Sequence, residues 1–280
     1  MAATPRRRRG ISGISLLIVV VVIVGLYVAF RSVAPLLQGS DCTAAGDGQD
    51  IALNPGQASI AATIAGVAQR DQLPPRAVTV AYAAALQESK LRNLHYGDRD
   101  SVGVFQQRPS QGWGPRGDLE NPVYATSKFF GALAKIPGYQ QMPIYAAAQA
   151  VQHSADGFAY QQYQAMAAHM TPAFTGQDPH AVWCWYAPKI SGAARVDAAS
   201  HGLAQAFGPQ STRATPDPGL IVRAGNTRQG WAMATWLVSH AQQYRIADVR
   251  YAGYEWTAAT GKRGWARTVS PAAPGRVEVG

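Results

Sequence analysis

Glu88 stands where an alanine-rich apolar run gives way to a loop of Gly, Asp, Arg and Ser, a position suited to moving a proton. Pro74-Pro75 supplies a helix start, and Arg76 to Leu86 follows without Gly or Pro, so the spacing predicts a helix with Glu88 in its last turn. Helical periodicity puts Ala85, Ala84, Ala81 and Ala77 on the face of Glu88, which lets another element pack close. Such packing strips water from the carboxyl, and the last turn sets it beside the negative end of the helix dipole. Both effects raise its pKa. A carboxylic acid that keeps its proton near neutral pH can protonate a glycosidic leaving-group oxygen.

The loop that follows offers partners for that chemistry. Asp98 and Asp100 lie in Gly97-Asp98-Arg99-Asp100-Ser101, and either could be the water-activating carboxylate of an inverting glycosidase, about 6.5–9.5 Å from the acid. The same residues also read as turn chemistry, with aspartates capping backbone amides. Further on, Gly103 permits close backbone approach, Phe105 can anchor the loop, and Gln106 offers a donor and an acceptor to a sugar amide. Trp113, in Gln111-Gly112-Trp113-Gly114, either stacks on a sugar ring or plugs the loop.

Glu88-Ser89-x-Leu91 followed by Ser101-x-Gly103-Val104-Phe105-Gln106-x-x-Pro109 resembles a family pattern, E-S-x-[FL] … S-x-G-[LV]-[MF]-Q-x-x-P. That pattern belongs to the soluble lytic transglycosylase and goose-type lysozyme superfamily. The longer run from Gly97 to Gly114 is similar to an actinobacterial branch of it, and the likeness spans roughly residues 58–170. The resemblance implies a lysozyme-like domain that cuts the β-1,4 bond of peptidoglycan glycan strands, with Glu88 as acid and then base and Ser101 and Gln106 lining the sugar cleft. If neither Asp98 nor Asp100 acts, it implies a transglycosylase route in which the substrate's own N-acetyl group assists and an anhydro-sugar forms. Family members often carry A-Y-N-A-G further along, whose tyrosine meets the substrate near the acid. This chain reads Ala148-Gln149-Ala150-Val151-Gln152 there, so Gln149, Gln152 or Tyr160 takes that place.

The elements around this stretch set an α+β expectation. Residues 1–31 read as a basic tail and a transmembrane helix: Ile11 to Phe30 carries no charge and spans about 30 Å as a helix. Arg6, Arg7, Arg8 and Arg9 before it place the N-terminus in the cytoplasm and the rest outside, in a single-pass arrangement at the cell membrane. Residues 32–57 read as an extracytoplasmic linker, 58–206 as the mostly α-helical lysozyme-like domain, 207–219 as a second linker and 220–280 as a small α+β domain. That last domain loosely resembles a C-terminal module of actinobacterial envelope proteins, related to zinc peptidase-like folds that end in D-H-V-H-V. Gly275-Arg276-Val277-Glu278-Val279 has no histidine there, so the resemblance implies wall or envelope-protein partners and no zinc.

Composition narrows the classes. Five of the 25 basic residues, Arg6 to Arg9 and Arg31, belong to the membrane segment, which leaves 20 against 16 acidic ones. A mild positive balance suits a polyanionic envelope, and there is no basic stripe or nucleic-acid motif. The two cysteines, Cys42 and Cys184, are the minimum for a disulfide in an exported chain, and no pattern of metal ligands accompanies them. No cofactor is expected. The competing class is a catalytically idle peptidoglycan-binding or scaffold protein of a secretion or conjugation machine.

Overall fold

The helix that carries Glu88 runs Pro75–Ser89, opened by a proline at a position where the missing amide hydrogen has no partner to lose. Its Glu88 face is closed over, with Ala77, Ala81, Ala84 and Ala85 fully buried. Lys90 and Leu91 then take left-handed φ of 57° and 56°, and their amides return to the carbonyls of Leu86 and Ala85 at 3.2 and 3.0 Å. The helix ends sharply, and its last turn faces the loop.

The computed structural model describes residues 22–27, 39–46, 48–153, 158–187, 189–210, 212–215 and 219–280. It divides into two units, Met1–Gly39 and Ser40–Gly280. Of the first unit only a helical stretch, α1 (22–27), and Gly39 are described. The expected membrane span falls largely outside the described residues, among which no helix is long and apolar enough to cross a bilayer.

The second unit is a mixed α+β body. It opens with a hairpin, β1 (Asp41–Gly46) and β2 (Gln49–Leu53), and continues through α2 (Pro55–Arg70), α3 (Pro75–Ser89), α4 (Arg116–Leu119), α5 (Pro122–Leu133), α6 (Ile144–Gln152) and α7 (Gln164–Phe174). Then come β3 (Val182–Trp185), α8 (Val196–Phe207), β4 (Thr212–Thr215), β5 (Gly219–Arg223), α9 (Thr227–Ser239), α10 (Ala241–Tyr244), β6 (Asp248–Tyr251), β7 (Tyr254–Thr257), β8 (Ala266–Arg267) and β9 (Arg276–Val279). The strands form two antiparallel sheets, ordered β2-β1-β3 and β4-β5-β9-β6-β7-β8.

At the centre lies α2, packed against α3, α5, α7, α8 and α9. Asn54 caps it in a reciprocal pair with Gln57. A Cβ on its Gly66 would meet the Phe207 ring at 2.9 Å, so only glycine lets α8 come this close. Two buried hydrogen bonds fix α3 within the helices: Tyr82 donates to the Ala61 carbonyl at 2.8 Å, and Thr79 and Thr171 share one at 2.9 Å.

Two expectations change. The supposed linker at 32–57 contains, from Asp41 to Leu53, a hairpin whose β1 also pairs with β3, and α2 starts at Pro55, three residues before the expected domain start at 58. The stretch 220–280 is not a body apart: it shares one unit with everything from Ser40 onward. The reason is α9, whose residues from Gly230 to Ser239 are all buried. A helix that is apolar all round needs cover on every side. It has the large sheet on one flank and α2, α7 and α8 on others.

The two sheets also meet through β3. Cys42 and Cys184 face each other in the β1–β3 register and are joined by a disulfide. The carbonyls of Val182 and Cys184 accept hydrogen bonds from the indoles of Trp265 at 2.7 Å and Trp256 at 2.9 Å. Strand β3 is thus paired on one edge by β1 and on the other by two side chains.

Candidate functional site

Ser89 builds the junction between helix and loop. Its buried hydroxyl donates to the Val104 carbonyl at 2.7 Å and receives the Arg92 amide at 3.1 Å, which clips the Gly103-to-Gln106 turn onto the end of α3. Gly103 is required there: its φ is +78°, and an added Cβ would meet the Leu119 carbonyl oxygen at 2.3 Å. Phe105 is fully buried and stacks on Phe129 with ring centroids 4.5 Å apart, so α5 holds the turn from beneath.

Beside this clip, Glu88 is half-buried. Buried Tyr160 donates its hydroxyl to Glu88 Oε1 at 2.7 Å across a sequence separation of 72. Gln152, the last residue of α6, also bonds the Glu88 carboxylate, and it donates to the Phe105 carbonyl at 2.7 Å. Burial pushes the Glu88 carboxyl above the ordinary glutamate value. The two hydrogen bonds and the positive charge of Lys90 pull it back without cancelling the rise. Lys90 in turn hydrogen-bonds the Tyr163 hydroxyl and lies 4.3 Å from that ring's centroid.

The two aspartates are placed otherwise. Asp100 accepts from Arg108 Nε at 2.8 Å, the Ser110 amide at 2.7 Å and the Ser110 hydroxyl at 3.0 Å. Arg108 and these donors hold its carboxyl well below the usual range. Both oxygens are thus committed to closing the 98–110 loop. The Asp98 side chain is 90% exposed, with only a 3.9 Å contact to neighbouring Arg99. Turn chemistry describes Asp100, whose carboxylate caps the Ser110 amide, while the Asp98 carboxylate stays in solvent, and neither joins Tyr160 on Glu88.

Ser101 is buried inside the loop, its amide bonded to the Asp98 carbonyl at 3.0 Å. The Gln106 amide donates to the carbonyls of Gly103 at 3.1 Å and Tyr96 at 3.4 Å, so it closes its own turn. Gln149 is half-buried on α6, one turn before Gln152. The partly buried Trp113 lines a cavity of about 940 Å³ together with α5 residues and Ala150, Val151 and His153. That cavity adjoins Gln152 through its neighbours. Glu88 is not among the residues that line it.

The chain matches no protein-family model and no curated protein. The site is therefore described by its own geometry: one carboxyl of raised proton affinity, two side chains that orient it, and a clipped loop. Among the described residues no cluster of three or more His, Cys, Asp or Glu could hold a metal ion. Sequence reasoning left Lys90 and Tyr163 aside and named Gln152 only as a stand-in. Lys90 follows Glu88 by two residues, and Tyr163 lies one turn beyond Tyr160, so proximity in sequence was the available signal. Left-handed φ values at Lys90, Leu91, Arg99, Gln106 and His153 cluster around this region, a concentration typical of functional loops.

Proposed function

We propose that this protein cleaves the β-1,4 bond of peptidoglycan, with Glu88 as general acid and then base. The observation that carries the reading is the half-buried Glu88 carboxyl, raised in proton affinity by burial and held at Oε1 by Tyr160 at 2.7 Å. A protonated Glu88 delivers its proton to the bridging oxygen as the C1–O bond breaks, and the resulting carboxylate then accepts a proton from the attacking hydroxyl. With Asp100 committed to Arg108 and Ser110 and Asp98 exposed, the route that fits is the substrate-assisted one. The N-acetyl carbonyl of the sugar attacks C1, and its own C6 hydroxyl completes the step, leaving an anhydro-sugar.

The reading extends to location and partners. Ile11 to Phe30 anchors the chain in the membrane with its N-terminus inside, and Ser40–Gly280 works on the wall side. The sheet-bearing C-terminal part serves wall or envelope-protein partners. In a zymogram on purified sacculi, the full chain in detergent is expected to clear and Glu88→Gln is expected to lose clearing. Equal clearing by both removes Glu88 from the mechanism, and binding to sacculi with no soluble fragments leaves a wall-binding scaffold. Mass spectrometry of the fragments, reading anhydro against reducing ends, decides the route.

A further inference from the structure

We infer that the cavity beside Trp113 is a subsite for the carboxylates of an amino-sugar strand, read by Lys128 and Lys135. The inference rests on the proposed glycan-cleaving function and adds a charge preference to it.

Lys128, Gly131, Ala132 and Lys135 all line this cavity of about 940 Å³. Their spacing of three, four and seven puts them in one row along α5 and its continuation, with small residues as the floor and a lysine at each end. A rise of about 1.5 Å per residue sets the two lysines roughly 10 Å apart. Gly131 has open space where a Cβ would stand, so the floor is bare. The wall opposite is Trp113, in a loop whose shape depends on glycine on both sides. Gly112 and Gly114 have φ of +81° and +135°, and a Cβ on Gly114 would meet the Tyr124 hydroxyl at 2.5 Å. Tyr124, one turn before Lys128, lies under that ammonium with its ring centroid 5.1 Å away.

Charge then selects the ligand. Both lysines are exposed, and neither makes an ion pair among the described residues. No Asp or Glu lines the cavity, and the chain from Asn121 to His153 contains none. A bare floor, one aromatic wall and two uncompensated ammonium groups suit a saturated ring with negative charge at its edges. On a peptidoglycan strand those charges are carboxylates, either on the sugar's lactyl group or on the attached peptide. Val151 and His153, which flank Gln152, complete the lining, so a ligand seated here extends toward the Glu88 end of α6.

The test is a binding titration at low salt with full-length protein carrying Glu88→Gln, which prevents turnover. The probes are a disaccharide-peptide fragment and a peptide-free glycan oligomer, each native and with its carboxyls converted to methylamides. The native form of at least one probe is expected to bind about three- to tenfold tighter than its methylamide, the range of two exposed ion pairs. Adding Lys128→Ala and Lys135→Ala brings that ratio to about one, while Trp113→Phe weakens both forms alike. A preference confined to the peptide-bearing fragment assigns the charge to the peptide, one confined to the peptide-free oligomer assigns it to the freed lactyl carboxylate of the sugar, and one shared by both shows that the lysines accept either carboxylate. A ratio near one before the lysines are changed overturns the inference, as does a ratio that survives their loss or a failure of every probe to bind. Zymograms of the wild type and of Lys128→Ala/Lys135→Ala separate the two readings. Clearing by the wild type without charge preference loses the subsite alone, and charge preference without any clearing loses the catalytic reading alone.

Discussion

Glu88 and Asp100 come from one continuous stretch and carry the same functional group, yet their surroundings drive them in opposite directions. Glu88 sits half-buried at a helix end, and desolvation raises its proton affinity despite bonds from Tyr160 and Gln152. Asp100 lies in the open loop among donors from Arg108 and Ser110, which hold it ionised. One group holds its proton more tightly than an ordinary glutamate and the other is fixed as a brace. Position relative to solvent and donors, rather than residue type, assigns the roles.

Replacing the acid breaks this comparison most severely. Glu88→Gln keeps the shape and removes the exchangeable proton, so clearing of sacculi should fall by about 10² or more. The same variant reports on the raised pKa through stability. Because the folded value lies above the unfolded one, Glu88 favours folding below the ordinary glutamate pKa, and that contribution is lost as pH rises through the folded value. Urea midpoints measured across pH should show this decline in the wild type and a flatter profile in Glu88→Gln.

Next in size is Tyr160→Phe. Its hydroxyl stabilises the charged carboxylate, so its removal raises the Glu88 pKa further. The alkaline limb of the pH–rate profile should move to higher pH, with turnover lowered by about tenfold through lost orientation. An unmoved limb would detach Tyr160 from the acid.

Asp100→Asn probes the brace and has a smaller effect. The low folded pKa of Asp100 supports folding above its unfolded value, and this support is lost as pH falls. The variant should show a slightly lower Tm at neutral pH, a weaker loss of stability on acidification, and retained clearing. Loss of clearing with Tm unchanged would instead make Asp100 a catalytic carboxylate. Least affected is Asp98→Asn, where a 90% exposed side chain makes one loose contact. Tm and clearing should both match the wild type.

The Glu88 helix was legible because its signals are local: a proline start, alanines at helical spacing and a loop rich in turn formers. The α+β mixture and several strands, such as Tyr254–Thr257, could also be read from alternation and turn residues. The β1–β2 hairpin could not. DCTAAG and QDIAL contain few β-branched or aromatic residues, and their strand conformation depends on β3, more than a hundred residues away. For the same reason the break at residues 207–219 suggested a boundary that the packing of α9 on α2 erases. Within the site, the carboxyl was readable and its partners were only candidates. Gln152 and Tyr160 reach Glu88 by tertiary packing, which leaves no mark in local spacing.

The placement of β9 bears on how the chain folds as it is made. Residues 276–279 enter the large sheet between β5 and β6, in its interior rather than at an edge. Until those residues have been synthesised, β5 and β6 lack their common neighbour and the sheet flanking α9 stays split. Late, long-range pairing of this kind is slow and leaves strand edges exposed. A chain stopped short of residue 276 is therefore expected to keep both of those strand edges open to pairing with other chains.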